Sequence, residues 1–271
     1  MAALRSFPGI KTVGFTHRPA TRRKAKRLAI ASEVSADIKA SVANADIVIL
    51  ATPISTFEEI FTRICDALPK GCIVTDVGST KVLPHRWAEK TLPETIHYVG
   101  SHPVAGSEQR GVEVARDDLF DKALCILTTT PKTNRYAVQT LKKFWSALGC
   151  CVKLMSPARH DRILANISHL PHITAASLVN ANIAEDLKFA GKGFIDTTRI
   201  ASGPPNIWVD VLLTNADNIT KGIDRVTAEL DRIKKAIKAA DGRQIEKLLQ
   251  AAKNKRNELI NYKMRKKEII S

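Results

Sequence analysis

The sequence lacks any apolar run of the length that crosses a membrane. A spanning helix needs roughly 20 consecutive, mainly apolar residues, and no stretch of this 271-residue chain comes near that length. The N-terminal residues also lack the charged segment followed by an apolar segment that marks a signal peptide. We therefore expect a soluble, cytoplasmic protein that is not embedded in a membrane.

Paired cysteine motifs are absent as well. The five cysteines show no CxxC or cysteine–histidine spacing, and each lies in or beside an apolar stretch. A structural zinc site or a redox pair normally shows such spacing. We expect the cysteines to be small core residues and the chain to hold no metal.

Positive charge is plentiful, at a formal +15, but it is confined to the two ends of the chain. Residues 1–28 carry 8 lysines and arginines and no acidic residue, residues 221–271 carry 15 against 7 acidic residues, and the middle nets −1. Aromatic residues are few and are not interleaved with this charge, so no nucleic-acid-binding surface is predicted. Small anionic ligands suit the distribution at least as well as a polynucleotide does.

Short apolar segments alternate with helical patterns in the first half of the chain. The segments bounded by turn residues are Lys11–Phe15, Ile47–Ala51, Cys72–Thr75, His97–Gly100 and Leu124–Thr128. Alternation of this kind predicts a mostly parallel sheet with crossover helices. Residues 1–155 are therefore predicted to form an α/β, Rossmann-like, dinucleotide-binding domain.

The pattern changes after residue 155. Ser156 and Pro157 form a helix start, with a serine at the N-cap and a proline at the first helical position. We expect one long apolar helix over residues 157–190, and amphipathic helices over 221–261, where apolar residues recur every three or four positions. Residues 156–271 are predicted to form an all-α substrate and dimerisation domain, since so apolar a helix favours a homodimer.

Candidate functional motifs occur in both halves of the chain. The segment 100–108 (GSHPVAGSE) sets His102 in a turn of small residues, the segment 76–81 (DVGSTK) ends an apolar run, and the segment 168–172 (SHLPH) lies inside a helical pattern. Together, and in this order along most of the chain, they resemble the prephenate/arogenate dehydrogenase family. The resemblance extends from about residue 12 to about residue 218.

The resemblance implies an oxidative decarboxylation that leads to tyrosine, with hydride passing from prephenate or arogenate to a nicotinamide cofactor. It also implies a homodimer with each site between the sheet domain and the helical domain. The reaction needs a base near neutral pKa at the substrate hydroxyl, a task that suits histidine. The resemblance makes His102 that base, with Ser79 orienting it. The alternative for His102 is a structural turn residue. The alternative for Ser79 is a helix cap.

Substrate anions need fixed cations or donors. The resemblance assigns Arg199 to a substrate carboxylate, supported by His169 from the long helix and by Ser107 from the catalytic motif. Trp208 either forms a wall of the substrate pocket or packs between helices.

His169 and His172 are three positions apart, a spacing that metal ligands also use. No third ligand is evident, so we reject a metal site and expect His172 to be a polar core residue or a helix-kink residue. Pro171 should bend the helix between them. Asp161, near the start of the same helix, is assigned to the helix macrodipole.

The glycine-rich loop of dinucleotide-binding folds is missing from the sequence. Such folds normally open with a strand and a G-x-G-x-x-G loop, whose amides approach the pyrophosphate, and no such motif occurs here. Residues 1–5 resemble the end of the first helix of that fold, and Lys11–Phe15 resembles its second strand. We expect the first strand and loop to lie upstream in a longer chain; the alternative is a non-catalytic relative with impaired cofactor binding.

The end of the strand Lys11–Phe15 bears on the choice of cofactor. An acidic residue at this point normally binds the ribose hydroxyls of NAD, but here Thr16, His17 and Arg18 follow, with Arg22 close behind. Cations at this position suit the 2′-phosphate of NADP. We expect NADP rather than NAD, with a solvated basic helix start as the alternative interpretation.

Two other strand ends should border the cofactor. Ile47–Ala51 leads to Thr52 and Pro53, and Cys72–Thr75 leads to Gly78. Open α/β sheets bind ligands at the carboxyl ends of their strands, and glycine lets the backbone approach a ligand closely. We therefore assign these three residues to the cofactor site.

Overall fold

A computed structural model describes residues 3, 6–105 and 111–266 of the protein. The strands are β1 (Val13–Phe15), β2 (Glu33–Ser35), β3 (Ile47–Leu50), β4 (Ile73–Asp76), β5 (His97–Tyr98), β6 (Gly100–Val104), β7 (Leu124–Thr128) and β8 (Cys151–Met155). The α-helices are α1 (Pro19–Arg27), α2 (Ile38–Val42), α3 (Phe57–Ile64), α4 (Val82–Thr91), α5 (Arg135–Ala147), α6 (Pro157–Leu164), α7 (Leu170–Asn180), α8 (Ala184–Leu187), α9 (Lys192–Thr198), α10 (Pro205–Thr214), α11 (Ala216–Lys238) and α12 (Gly242–Arg265).

The strands pair mainly in parallel, as the sequence predicts. β1 pairs with β2, and β3, β4 and β5 form a second parallel group. In the third group β7 lies between β8, which is parallel to it, and β6, which is antiparallel. The α/β, Rossmann-like prediction for the first half and the helical prediction for the second are confirmed.

The core of the sheet part is built from both faces of β4. All residues of that strand are buried, which is typical of a strand covered by helices on both sides. Phe57 and Phe61 of α3 are one helical turn apart and fully buried against it. Trp145 of α5 fills a separate core cluster beneath β7. These packed layers give rigid strand ends to the site.

The prediction that His102 lies in a turn is wrong. His102 lies within β6, where it is paired with Ile126 of β7. The buried residues before Val104 form a regular antiparallel ladder, so the histidine is held by sheet hydrogen bonds rather than by a loop. Residues 106–110, which include the end of the motif, lie outside the described residues.

The long helix also differs from its prediction. The helical path continues from α6 through a π-helical turn, Ala165–His169, into α7, but it ends at Asn180, ten residues earlier than predicted. The side-chain amide of Asn182 donates to the carbonyl of Leu178 (2.8 Å) and closes the last turn. Pro171 has no backbone N–H to donate, and the π turn that precedes it widens the helix where His169 projects.

The chain divides into two compact units, Met1–Ile219 and Thr220–Ser271. The second unit contains most of α11 and all of α12, whose start is capped by Asp241 accepting from the amide of Gln244 (3.0 Å). Apolar side chains on both helices are exposed in the single chain, among them Leu230, Ile237, Leu249 and Leu259. None of the helices within the described residues is long and apolar enough to cross a membrane.

The buried position of Phe61 predicts a large stability effect. Phe61→Ala removes a fully buried ring and should lower the free energy of unfolding by about 3–5 kcal/mol. Tyr136→Ala, at a residue that is 72% exposed on α5, should change it by less than about 0.5 kcal/mol. Urea unfolding followed by circular dichroism measures both; equal effects would contradict this packing.

Candidate functional site

Polar side chains are buried together where β6, the start of α4 and the helix α6 meet. His102 comes from β6 and His160 and Asp161 from α6, and all three are less than 10% exposed. His169, at the end of the π turn, is 1% exposed. We call His102, His160 and His169 the histidine cluster.

β6 is fixed beside β4 by side-chain hydrogen bonds. The hydroxyl of Ser101 bonds the hydroxyl of Thr75 on β4 (2.6 Å) and accepts from the indole N–H of Trp145 (3.1 Å). All three residues are buried. The strand that carries His102 is therefore held from both sides.

Asp161 joins α6 to the start of α4. One carboxylate oxygen accepts from the backbone N–H of Lys81 (2.7 Å), and the other accepts from that of Val82 (2.8 Å). Both N–H groups belong to the first turn of α4, where a helix leaves its amides unpaired. The assignment of Asp161 to the start of its own helix is thus wrong, because it caps α4, whereas Ser156 caps α6 by accepting from Arg159 N (3.3 Å).

A second buried charge pair holds the turn between β4 and α4. Lys81 and Asp76 form an ion pair with both side chains fully buried. The ammonium of Lys81 also donates to the carbonyl of Gly78 (2.7 Å), and Asp76 accepts from the hydroxyl of Tyr98 (2.6 Å). Buried charges persist only when paired in this way. The pair fixes the turn and places a positive charge near the histidine cluster.

The hydrogen bonds of His102 determine where its proton lies. A carboxylate only accepts, so His160 Nδ1 donates to Asp161 Oδ1 (2.8 Å). The Nε2 atom of His160 is then the acceptor in its 2.9 Å contact with His102 Nδ1. His102 therefore carries its proton on Nδ1 and presents a lone pair on Nε2, which makes no hydrogen bond to any described residue.

The surroundings keep these rings neutral. Burial is the main cause that holds the pKa of His102 well below its usual value, and the charges of Lys81, His160 and His169 act in the same direction. Burial also lowers the pKa of His160, against the opposing effect of Asp161. A neutral His102 is in the state that accepts a proton, but its pKa lies below the near-neutral value expected from the sequence for the base.

His169 has a different set of neighbours. Its Nδ1 lies 3.2 Å from the side-chain nitrogen of Asn215, which also donates to the carbonyl of Asp161 (2.8 Å). Its Nε2 is buried and has no hydrogen-bond partner among the described residues. Burial lowers the pKa of His169 to about 4, mainly against the effect of Asp161.

Trp208 packs between helices beside this histidine. Its ring stacks on His172, with centroids 3.5 Å apart and planes 9° apart, and lies edge to face with His169 at 6.2 Å. A Cβ at position 203 would lie 2.5 Å from the indole nitrogen, so the contact requires Gly203. The tryptophan thus contacts His169 whether or not it also borders substrate, and His172 is buried, as expected.

The predicted substrate residues lie in different places. Arg199 is exposed at the start of a 3₁₀ turn, Arg199–Ser202, on a groove that Phe194 and Thr198 also line. Ser107 lies outside the described residues. The structure thus brings His102 and His169 into one cluster, and it places Arg199 on a groove of its own.

The turn that contains Ser79 is tightly packed. A Cβ at Gly78 would lie 3.0 Å from side-chain atoms of both Ile54 and Asp76, so a larger residue there would have to displace these neighbours. Ser79 is half-buried and makes no hydrogen bond to another described residue. Among the described residues, the side-chain hydrogen bond of the His102 ring is to His160, and the orienting role of Ser79 stays a prediction.

The residues assigned to the cofactor lie at strand ends. Thr52 and Pro53 are exposed after β3, and the hydroxyl of Thr52 bonds that of Thr56 (2.8 Å). After β1, the guanidinium of Arg22 donates to the carbonyls of Thr16 (2.8 Å) and His17 (2.9 Å).

Arg22 thus braces the turn between β1 and α1. His17 and Arg18 project from that turn and are exposed. The first turn of α1 contains no acidic residue.

Sequence reasoning missed His160 and Asn215 as functional residues. His160 lies three residues after the helix-starting Pro157, and the buried face it shares with Leu164 is its only sequence signal. Asn215 follows α10 directly, and its amide is oriented by Asn218, which donates to its oxygen (2.8 Å). Both side chains act through partners that are distant in sequence, which spacing does not reveal.

Comparison with known families gives two matches. Residues 2–154 match the model described as prephenate dehydrogenase, nucleotide-binding domain, and residues 156–251 match the model described as prephenate dehydrogenase, dimerization domain. Together these matches span most of the chain.

Individual relatives are similar over nearly the whole chain. Prephenate dehydrogenase of Bacillus subtilis (strain 168) is 34% identical over 266 residues, which cover 96% of this chain and 72% of the relative. The structure of prephenate dehydrogenase from A. aeolicus in complex with hydroxyphenyl propionate and NAD+ has a TM-score of 0.87 at 34% identity, covering 95% of this chain and 92% of that one. Synechocystis arogenate dehydrogenase has a TM-score of 0.81 at 28% identity, covering 95% and 94%.

Because His169 is buried as a neutral ring, the stability of the protein should depend on pH. Its pKa of about 4 in the folded protein lies below the roughly 6.5 of an unfolded histidine, so the unfolded chain binds the proton first as the pH falls. The contribution of neutral His169 to the free energy of unfolding is fully present above about pH 6.5, and it is lost as the pH falls towards 4. His169→Gln should make the slope of unfolding free energy against pH shallower by up to about 1.4 kcal/mol per pH unit in that window.

The matched control is His17→Gln, at an exposed histidine, which should leave the slope unchanged. Urea unfolding at half-unit pH intervals gives both slopes. An unaltered slope in His169→Gln would show that His169 is not buried as a neutral ring.

Proposed function

The chain belongs to the prephenate dehydrogenase family, and from that premise we propose that it catalyses the oxidative decarboxylation of prephenate or arogenate in tyrosine biosynthesis. The observation that carries this proposal beyond the family is the Nε2 of a neutral His102, which bonds none of the described residues and is oriented by a buried hydrogen-bonded chain. An acceptor atom of this kind is what the substrate hydroxyl requires.

The proposed reaction begins with the hydroxyl of a cyclohexadienyl ring. A nicotinamide cofactor, when bound, supplies the acceptor for the hydride that leaves the carbon bearing this hydroxyl. His102 Nε2 takes the hydroxyl proton, and loss of the ring carboxylate as carbon dioxide then yields an aromatic ring. Aromatisation makes the overall step downhill.

His160 and Asp161 support His102 in this proposal. When His102 accepts the proton, its ring becomes an imidazolium, and the His160 nitrogen at 2.9 Å remains the acceptor for its Nδ1–H. The Asp161 carboxylate, 2.8 Å beyond on the other side of His160, favours positive charge along this chain. Both residues hold the ring in the orientation and tautomer that leave Nε2 free.

Substrate binding is proposed to use residues from both the helical part and the sheet part. Arg199 is assigned to a substrate carboxylate because a guanidinium grips a carboxylate through two parallel hydrogen bonds. His169 and Ser107 add polar contacts, and Trp208 contributes an aromatic wall through its contact with His169. Ser79, next to the fixed turn after β4, is assigned to the catalytic site.

NADP is the proposed cofactor, with NAD as the alternative. The residues fit a phosphorylated ribose because Thr16 replaces an acidic residue at the end of β1 and His17 and Arg18 are exposed beside it. Arg22 has one guanidinium nitrogen engaged with the turn, which places its charge at the same strand end. Thr52, Pro53 and Gly78 are assigned to the neighbouring strand ends.

A homodimer is proposed for the assembly, through residues 156–271. The second matched family model is described as a dimerization domain. Exposed apolar side chains on α7, α9 and α10 support the proposal, since Leu178, Ile195 and Leu213 all lie on the surface of the single chain. Residues 1–155 are proposed as the dinucleotide-binding domain.

A second candidate is a non-catalytic relative with impaired cofactor binding. The observation that favours it is the absence of a G-x-G-x-x-G motif from the 271 residues. Titration of this chain with NADPH and NADH, followed by nucleotide fluorescence, separates the two candidates. Binding supports the enzyme, and failure of both nucleotides to bind supports the alternative.

The role of His102 predicts a kinetic result. His102→Asn should lower kcat by about 10²- to 10⁴-fold, the range that a general base contributes, with nucleotide affinity unchanged. His97→Asn, on β5 and outside the histidine cluster, is the matched control and should retain normal turnover. Reduction of the nicotinamide at 340 nm measures both, and near-normal turnover of His102→Asn would refute the role.

The cofactor assignment predicts a change of preference. Arg18→Ala should weaken NADPH binding by about tenfold, the size of one charge-assisted hydrogen bond, and leave NADH binding unchanged. Lys26→Ala, another exposed cation on α1, serves as the control with no expected effect. Fluorescence titration gives the four affinities; tighter binding of NADH than NADPH to the unaltered protein would overturn the assignment.

A further inference from the structure

Asn215 lies buried at the end of α10 and contacts both Asp161 and His169. It is 5% exposed, and its side-chain nitrogen is shared between the carbonyl of Asp161 (2.8 Å) and Nδ1 of His169 (3.2 Å). Its side-chain oxygen accepts from the amide of Asn218 (2.8 Å). Every polar atom of this amide therefore has a defined partner.

These partners fix which end of the amide faces His169. A backbone carbonyl only accepts hydrogen bonds, so the Asn215 atom that contacts the Asp161 carbonyl is the NH₂ group. The same NH₂ group faces His169 Nδ1 and donates to it. The donation from Asn218 to the Asn215 oxygen is compatible with this orientation, which the Asp161 carbonyl fixes.

The tautomer of His169 follows from this orientation. Because Nδ1 accepts, the proton of the neutral ring lies on Nε2. That N–H is buried without a partner among the described residues. An unpaired buried donor costs about 1–3 kcal/mol, which indicates that it serves a ligand atom that accepts a hydrogen bond.

We propose that Asn215 is a positioning residue that holds His169 as a hydrogen-bond donor for an anionic oxygen of the substrate, the class of ligand being a carboxylate. The inference rests on the proposed function. It adds the role of Asn215 and defines His169 Nε2 as a hydrogen-bond donor. His169 presents Nε2–H, whereas His102 presents a bare Nε2. The opposite tautomer of His169 would direct a lone pair at the substrate oxygen and repel it.

The charged and titratable groups around His169 come from several elements. Asp161 and His160 face it from α6, His172 from α7, and His102 from β6. Asp161 favours a positive His169, and the other histidines oppose one when they are charged. Burial outweighs these effects, so the ring stays neutral and the donor is present throughout the neutral pH range.

Asn215→Asp tests the proposal, because a carboxylate in place of the amide accepts a proton instead of donating one. It should move the proton of neutral His169 to Nδ1 and raise its pKa, since a negative charge favours the imidazolium. Below the raised pKa Nε2 still carries a proton, and above it Nε2 has only a lone pair. The KM for prephenate, relative to the unaltered enzyme, should therefore increase at least tenfold from pH 6 to pH 9, with NADPH affinity unchanged.

Asn180→Asp provides the matched control, as it introduces the same charge at an exposed residue at the end of α7. Its KM ratio to the unaltered enzyme should stay flat with pH. A flat ratio in Asn215→Asp as well would overturn the proposal.

A second measurement needs no folded Asn215 variant. The side-chain ¹⁵N shifts of histidine-labelled protein report which nitrogen carries the proton, and loss of one signal set in His169→Gln identifies His169. A proton on Nε2 supports the proposal, and a proton on Nδ1 overturns it. Absence of prephenate turnover in the unaltered protein would contradict the proposed function instead, and this tautomer result would be unaffected.

Discussion

Asp161 is a buried negative charge, and the site is arranged around the donors that it requires. Its carboxylate accepts from the amides of Lys81 and Val82 and from the ring of His160. An ionised carboxylate removed from water is stable only when such donors satisfy it. The start of α4 and the helix α6 are therefore held together at the residue that also sets the polarity of the histidine cluster.

The two polar groups of Asp161 act on different histidines. Its carboxylate controls His102 through His160, which leaves a lone pair on His102 Nε2. Its backbone carbonyl orients Asn215, which in turn places the proton of His169 on Nε2. Asp161 thus makes His102 Nε2 an acceptor and His169 Nε2–H a donor within the histidine cluster. Burial keeps both rings neutral, so these polarities persist at neutral pH.

The sequence predicts the layer structure from local patterns, and the resemblance of one motif to a family marks His102 as the candidate base. Apolar strands such as β3 and β7 are visible as runs, and His102 is marked by its motif. The extended conformation of His102 is not visible, since it depends on pairing with β7, more than twenty residues away. The roles of His160 and Asn215 are hidden for the same reason, because each is defined by a contact that spans more than forty residues.

His102 and His169 are inferred to differ in protonation at Nε2. Neutron diffraction from crystals of the deuterated protein at neutral pH locates these protons directly. We expect deuterium on Nδ1 of His102, on Nδ1 of His160 and on Nε2 of His169. Deuterium on Nε2 of His102, or on Nδ1 of His169, would contradict it.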